Sequence, residues 1–541
     1  MDNADIVLYC RLPFIVNCPL SIVHWKEMRS KNILFAVLLV LGAGMSARAQ
    51  FVGEAIVFSQ ENNGGTARFK AMGNAKTALG GDMSSITGNP AGLGFFGRSD
   101  ISLTLNYNNA GNRASYLGSP NITQNKGRFG VDHAGMVFHF PTAGNGGAGW
   151  QNFNLGLSYE NTNTFTENLR YEGENPNSTI LSAHIDDGNQ NFLDDLWEHK
   201  LIEKHQGPSK AYFPVVREKG EKGQLSDVLN TGFNSRVAMA FGANYNNSFY
   251  IGGTLGLTSF RYGHSSWFSE WGLTKDRAAI LEGNPNSSIA DVNHDDYDYV
   301  EANYDMTDDY LQETEGSGID LKLGMLFKPA VDWNIGLTIA TPTWITVDDY
   351  TRRFVEVDYF DVNDPNWNPY FKTPERKTED RYRLITPWKF GLGLSKFFGR
   401  GLLSADVEYV DYGSIKLRTM GNTDPGLETE WDWGIGNAYQ RTVNLRVGGE
   451  LLFTNALSGR AGFNHYGNPY RNADNEQYSG SVGLGIKLSR STYIDLAVVH
   501  LVNTYKISPY TFDEALWDST WPVADVRLQR TNAVLTFGAK F

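Results

Sequence analysis

The sequence predicts an all-β fold, a transmembrane antiparallel β-barrel of about fourteen strands with an N-terminal plug inside its lumen. Three observations predict it: a two-residue hydrophobic period that recurs along the chain, links that alternate between short and long, and a glycine-rich stretch ahead of the first strand. Phe153, Leu155, Leu157 and Tyr159 make one face apolar, while Asn152, Asn154, Gly156, Ser158 and Glu160 keep the other polar or small. The dyad recurs in Val237, Met239, Phe241 and Ala243, in Ile319, Leu321, Leu323, Met325 and Phe327, and in Trp333, Ile335, Leu337 and Ile339. The last ten residues repeat it, with Ala533, Leu535, Phe537, Ala539 and Phe541 facing one way. The 57 glycines, 13% aromatic content and net charge of -13 fit this class, because strands that alternate polar with apolar residues average to a soluble-looking composition.

Fourteen alternating segments lie near 100–107, 134–141, 152–160, 235–245, 248–258, 318–328, 331–340, 382–396, 401–411, 443–453, 456–466, 479–489, 492–502 and 531–541. Short turn-rich links such as Asn244-Tyr-Asn-Asn247, Phe398-Gly-Arg-Gly401 and Thr454-Asn455 join some of them. Long polar links, expected over 161–234, 259–317, 341–381, 412–442 and 503–530, join the others. A barrel inserted from the periplasm has this asymmetry, with long loops outside the cell and both termini inside. A sandwich has no reason for it, since its inner faces need only meet each other. In hydrocarbon every backbone amide must be paired, so the last strand is expected to close on the first. Asp320, Lys322, Lys389, Asp406, Glu408, Arg446, Glu450, Arg460, Lys487 and Asp495 fall on the opposite faces and are too costly for lipid, so they should point into the lumen. Tyr107, Tyr159, Trp333, Trp388 and Tyr493 near strand ends suit interfacial girdles.

The N-terminus reads as an export signal. Arg29 and Lys31 precede the apolar run from Ile33 to Leu41, and Ala47-Arg48-Ala49 supplies a cleavage site. Residues 28–49 are therefore expected to be a signal peptide starting at Met28, with 1–27 an extension upstream of the true start. Both cysteines, Cys10 and Cys18, lie in that extension, so the mature chain is expected to use no disulfide and no thiolate chemistry.

Residues 50–99 are expected to form the plug, and 100–541 the barrel. Gly92-Leu93-Gly94-Phe95-Phe96-Gly97 matches a nucleotide-binding glycine pattern in letters, but no buried strand precedes it and a strand follows it, so the context is wrong. Gly80, Gly81, Gly88, Gly92, Gly94 and Gly97 suit a tight irregular path, Pro90 fixes a turn, and Leu93, Phe95 and Phe96 offer an apolar surface to the lumen. The run Ala71-Met-Gly-Asn-Ala-Lys-Thr-Ala-Leu-Gly-Gly-Asp82, followed by Ser84-Ser85 and by Gly88-Asn89-Pro90-Ala91-Gly92-Leu93, resembles the hatch signature of the FadL-type family of long-chain fatty-acid transporters. The resemblance implies a small plug carrying Asn-Pro-Ala within a fourteen-stranded outer-membrane barrel. It also implies passive uptake of hydrophobic molecules past the lipopolysaccharide layer, an apolar pocket inside the barrel, and release through a lateral opening or a plug rearrangement. Gly88, Asn89, Pro90, Ala91 and Gly92 would then carry the gating. The long links over 161–234 and 259–317 depart from that family.

Other chemistry is weaker. Asp187, Asn189, Asn191 and Glu198 have calcium-loop spacing, but Phe192 stands where such a loop needs glycine. Asp291-Val-Asn293-His-Asp295-Asp296 lacks the closing acid. No HExxH or GxSxG motif occurs, so no enzyme activity and no cofactor are expected. The acidic balance disfavours nucleic acid. Two alternative functions stay open: a surface barrel that docks secreted proteins, and haem or aromatic-compound uptake with His133, His139, His465 and His500 as conceivable haem ligands. The expected partners are a hydrophobic substrate, outer-membrane lipid and lipopolysaccharide, and the barrel-assembly machinery through the terminal Phe541, with the barrel itself monomeric.

Overall fold

The computed structural model describes residues 47–61, 64–142, 148–206, 212–421, 424–512 and 521–541. The extension expected over 1–27, with both cysteines, lies outside the described residues. So does the expected signal peptide, apart from Ala47 to Ala49, which open the first helix.

The chain forms a closed antiparallel barrel of fourteen strands. They are β1 (Asp100–Tyr116), β2 (Ile122–Pro141), β3 (Trp150–Thr164, resumed at Glu167–Glu174), β4 (Gly223–Tyr245) and β5 (Phe249–Leu273). β6 spans Asn303–Ala330, and β7 to β9 each come in two runs: Trp333–Ala340 with Trp344–Phe360, Arg376–Ile385 with Lys389–Phe398, and Gly401–Asp411 with Lys416–Thr419. β10 (Arg441–Leu452), β11 (Leu457–Tyr466), β12 (Glu476–Lys487), β13 (Thr492–Ile507) and β14 (Ala524–Lys540) complete it. Closure runs from Asp100 opposite Lys540 to Tyr116 opposite Ala524, so neither edge is left open to lipid.

Each expected segment is present, but the strands run much farther than the alternation suggested. β6 alone has 28 residues, and the first link is only Leu117 to Asn121. The long links expected over 161–234, 259–317, 341–381, 412–442 and 503–530 shrink to 175–222, 274–302, 361–375, 420–440 and 508–523. The reason is a reversal of polarity along the wall. Near the short turns the outward positions are apolar and exposed, as in Leu155, Met239, Leu257, Leu323, Leu337, Leu392, Val447, Val482 and Phe537. Farther along, outward positions turn polar: Arg261, Glu315, Asp348 and Arg381 stand opposite one another on β5 to β8. There the inward positions carry the apolar side chains, such as Phe260, Ile345, Val347 and Leu384.

On β7 and β8 the reversal coincides with a break. Pro342 and Pro387 cannot donate to a ladder, so the strands are interrupted there. Threonine patches the gap: the Thr343 amide donates to the Thr386 hydroxyl (2.8 Å), and the Thr386 amide to the Thr343 carbonyl (3.1 Å). The interruption shifts the side-chain phase by one, which turns Ile345 and Val347 inward although Ile335, Leu337 and Ile339 point outward.

The outer links fold into a cap whose apolar residues Ile180, Leu196, Leu201, Val216 and Ile280 cluster with Met306 of the upper β6 and with Val355 and Tyr359 of the upper β7. Two helices there, Ile180–Asp187 and Gln190–Glu198, are capped by Thr179 and Asn189.

Candidate functional site: the plugged lumen

The N-terminal segment fills the lumen. It contains helix α1 (Ala47–Ser59), helix α2 (Ala67–Ala71) and two short 3-10 turns, Met83–Ser85 and Pro90–Phe95. Its lower part, residues 64–97, is packed against the polar half of the wall. The Asn89 side-chain oxygen accepts from the Ala91 amide (3.1 Å) and caps the second turn, where Pro90 at the first position needs no amide partner. The Asn89 amide group donates to the carbonyls of Thr77 (2.6 Å) and, on β6, Met325 (3.1 Å). One asparagine thus folds the turn and ties it to the barrel. The Gly88 amide donates to Ser84 and the Gly92 amide to Asn89. Ala91 packs with Tyr250 and Leu326, and Leu93 and Phe96 pack with Ile86, Val137 and Ala240. Phe95 stacks on Tyr250 at 4.1 Å.

Charge holds the same segment. Arg68 reaches Glu450 (3.0 Å), which also accepts from Arg460, and Arg460 continues to Asp495 (2.6 Å). The Thr77 amide donates to Asp406 (2.7 Å), and Glu61 lies 3.3 Å from Lys389. Lys70 is ion-paired with Asp132, and both are almost fully buried. Asp132 and His133 both turn inward because β2 carries a bulge there, opposite Thr104 and Leu105 of β1.

The reading of the sequence missed the wall glycines that make room for this packing. A methyl group at Gly336 would strike the Thr77 carbonyl, one at Gly448 the Met72 carbonyl, and one at Gly252 the Pro90 backbone. Each lies on an inward face as the "small" member of the dyad, and that was the available signal.

The upper lumen is different in kind. α1 lies in an apolar chamber, with Phe58 stacked on Phe260 (4.4 Å) and edge-on to Phe165 (6.1 Å). Phe51 lies 4.7 Å from Tyr382 and edge-on to Trp431 (5.9 Å). Ile345, Val347, Leu384, Val410, Ile415, Ile435 and Tyr439 complete the lining. These residues were missed because most fall in segments expected to be loops.

The wall forks between β2 and β3. Their ladder runs from Pro141 opposite Asn152 to His133 opposite Glu160 and ends there. Beyond it β2 pairs only with β1, while β3 pairs only with β4 and is buried from Glu160 to Thr164. The upper β3 therefore passes behind β2. The Arg128 guanidinium spans the fork, donating to the Gly232 carbonyl on β4 (3.0 Å) and lying over the Phe233 ring (4.8 Å). Lys70 and Asp132 sit at the base of this fork.

The remaining sequence candidates are dispersed. Asp187 ends one cap helix, Asn189 caps the next, and Asn191 and Glu198 lie within that helix, so the segment folds as two helices rather than as one loop. His139 is bonded to Asn154 (2.8 Å), while His465 and His500 lie on the outer face, against Tyr478 and Thr531. With His133 buried at the fork, these four do not converge.

The fold is similar to that of several solved structures. A Pseudomonas aeruginosa FadL homologue is 14% identical, with 88% of this chain and 99% of that one covered at a TM-score of 0.50. The P. putida toluene transporter TodX is 12% identical, covering 90% of this chain and 99% of its own, at 0.49. The Ralstonia pickettii toluene transporter TbuX is 13% identical, with 90% and 100% covered, at 0.47. No protein-family model matches the sequence, and no curated protein matches it. A closed barrel with an apolar belt belongs in the bacterial outer membrane. The chain therefore has the fold of a FadL-type outer-membrane barrel, fourteen strands closed around an N-terminal plug.

Proposed function

We propose that the barrel is a passive channel for hydrophobic small molecules such as long-chain fatty acids, with the chamber around α1 as its binding site and the fork between β2 and β3 as its exit. The chamber carries this reading. A water-filled pore has no use for inward Phe165, Phe260, Ile345, Val347 and Leu384. An acyl chain does, because leaving an apolar site for water costs it about 0.8 kcal/mol per methylene. The likeness of the plug motif to that of fatty-acid transporters supports the same class of cargo.

α1 occupies the space that such a cargo would fill, so binding and withdrawal of α1 would be linked. The Lys70–Asp132 pair ties the plug to the base of the fork, which gives plug movement a direct route to the exit. Gly88 to Gly92 would gate through the same contacts, since Asn89 holds the plug on β6.

Proteoliposome flux tests the proposal. Val347→Trp, which fills the chamber, should lower oleate flux strongly while glucose leak stays at its basal level. Asn89→Ala with Pro90→Ala should raise the leak of both. Unchanged oleate flux in a correctly folded Val347→Trp barrel would remove the chamber from the route.

A further inference from the structure

The outer wall carries a second apolar feature, on the lipid side of the barrel. Leu105, Tyr107 and Phe129 on one flank and Val482, Leu484, Leu496 and Val498 on the other enclose a groove of about 620 Å³. Ala533 and the backbone of Gly483 form its low floor. It crosses β12, β13, β14, β1 and the exposed upper β2.

Above the groove, on the same strands, Arg113 of β1 and Arg527 of β14 stand directly opposite each other, both exposed and facing outward. Like charges in that position repel unless an anion lies between them. Among the described residues neither arginine has an acidic partner. The nearest outward acid, Asp525, lies one row farther out and is held by Lys506 at 3.0 Å. The wall on β5 to β8 behaves otherwise. There Arg261 pairs with Glu315 (3.0 Å) and Arg381 with Asp348 (3.2 Å), so that row neutralises itself.

Two rows separate the arginines from the top of the groove. One holds Asn109, Thr531 and His500, the other Gly111, Gln529 and Val502. Six residues of a tilted strand rise about 15 Å, and long guanidinium side chains shorten that gap. The order from the membrane outward is thus an acyl-sized groove, a polar band of amide and hydroxyl groups, and a pair of arginines with no acidic partner among the described residues.

We infer that this face holds a phosphorylated glycolipid of the outer leaflet. One acyl chain lies in the groove, the sugar hydroxyls meet Asn109, Gln529 and Thr531, and a phosphate is bridged by Arg113 and Arg527. Guanidinium forks match phosphate oxygens in pairs, and such charge-assisted bonds are the strong ones. The site depends on the barrel's place in the membrane and is independent of what the lumen transports.

Native mass spectrometry of the full-length barrel in mild detergent tests it, with lipid A and its dephosphorylated form as probes. The wild type should retain lipid A about tenfold better than the dephosphorylated form. Arg113→Ala with Arg527→Ala should abolish that preference. Ala533→Leu, which fills the groove and leaves both charges in place, should weaken both probes alike, and Arg261→Ala should change neither. Heat-shifted gel migration reports folding of each variant, and the groove variant serves should the double substitution not fold. Equal retention of the two probes by the wild type overturns the inference, as does loss of the preference in Arg261→Ala.

Discussion

The lower and upper halves of this barrel are built on opposite rules. In the lower half the outside is apolar and the inside is polar. The plug is held there by buried ion pairs, by amide-to-carboxylate bonds and by glycine backbones in contact with its own. In the upper half the outside is charged, and the inside is an apolar chamber filled by α1. The inversion follows the solvent. Lipid surrounds the lower wall and water the upper one, and the side chains on the two faces exchange roles between them. The lower half holds its polypeptide mainly by ion pairs and directional bonds, whereas α1 in the upper half rests chiefly on ring and aliphatic contacts, with the Tyr439 hydroxyl donating to the Val52 carbonyl (2.7 Å).

Perturbations should therefore sort by half. The largest effect is expected from Asp132→Ala, which strands the Lys70 ammonium in a buried site; removal of one partner of such a pair costs about 3–5 kcal/mol. Hydrogen exchange over residues 64–99 should rise steeply, and Lys70→Met combined with Asp132→Leu should recover much of the protection. Phe58→Ala should cost about 3 kcal/mol in the seating of α1, from lost ring contacts with Phe260 and Phe165. Its exchange signature should stay confined to residues 51–59; spread into the lower plug would break the two-half picture. Gly336→Ala forces the Thr77 carbonyl away from the wall and should cost about 1–3 kcal/mol. Planar-bilayer recordings should show more frequent open events, with α1 protection unchanged.

The cap adds a pH term to the upper half. His184 is buried against Phe192, with Asp308 at 2.9 Å and Arg353 at 3.3 Å. Burial first, and Arg353 second, hold its imidazole below the ordinary histidine range. Its neutral form is thus favoured in the folded cap. The associated stability is fully present above the unfolded histidine pKa of about 6.5 and is lost as pH falls through the lower folded value. Limited proteolysis should cut the 175–222 link faster at pH 5 than at pH 7, and His184→Gln should flatten that dependence. The smallest effect belongs to the outer face: Arg261→Ala removes an exposed pair, 73% and 64% accessible, and should change thermal stability by less than about 1 kcal/mol.

The lower half was legible in the sequence to a degree that the upper half was not. The dyad of Leu321, Leu323 and Met325 predicts lipid-facing positions because a strand has only two faces and lipid accepts only one kind of residue. The Asn89-Pro90 turn announced itself by residue types that few other local structures tolerate. In the upper strands the same alternation continues, as in Ile345, Thr346, Val347 and Asp348, but with the apolar face turned inward. Those residues passed for loop because they were rich in polar side chains and bounded by Pro342. The fork left no local trace, since the end of the β2–β3 ladder at His133 and Glu160 depends on where β3 goes next.

The strand count, the closure, the lipid-facing belt and the existence of a plug are all legible in the residues alone. Each follows from short-range periodicity under the demand that no amide be left unpaired in hydrocarbon. Long-range packing sets which glycines meet the plug, that Lys70 finds Asp132, that α1 enters an apolar chamber, and that β2 and β3 part. Those are meetings between residues tens to hundreds of positions apart, and no local pattern of side chains specifies the partner at that range.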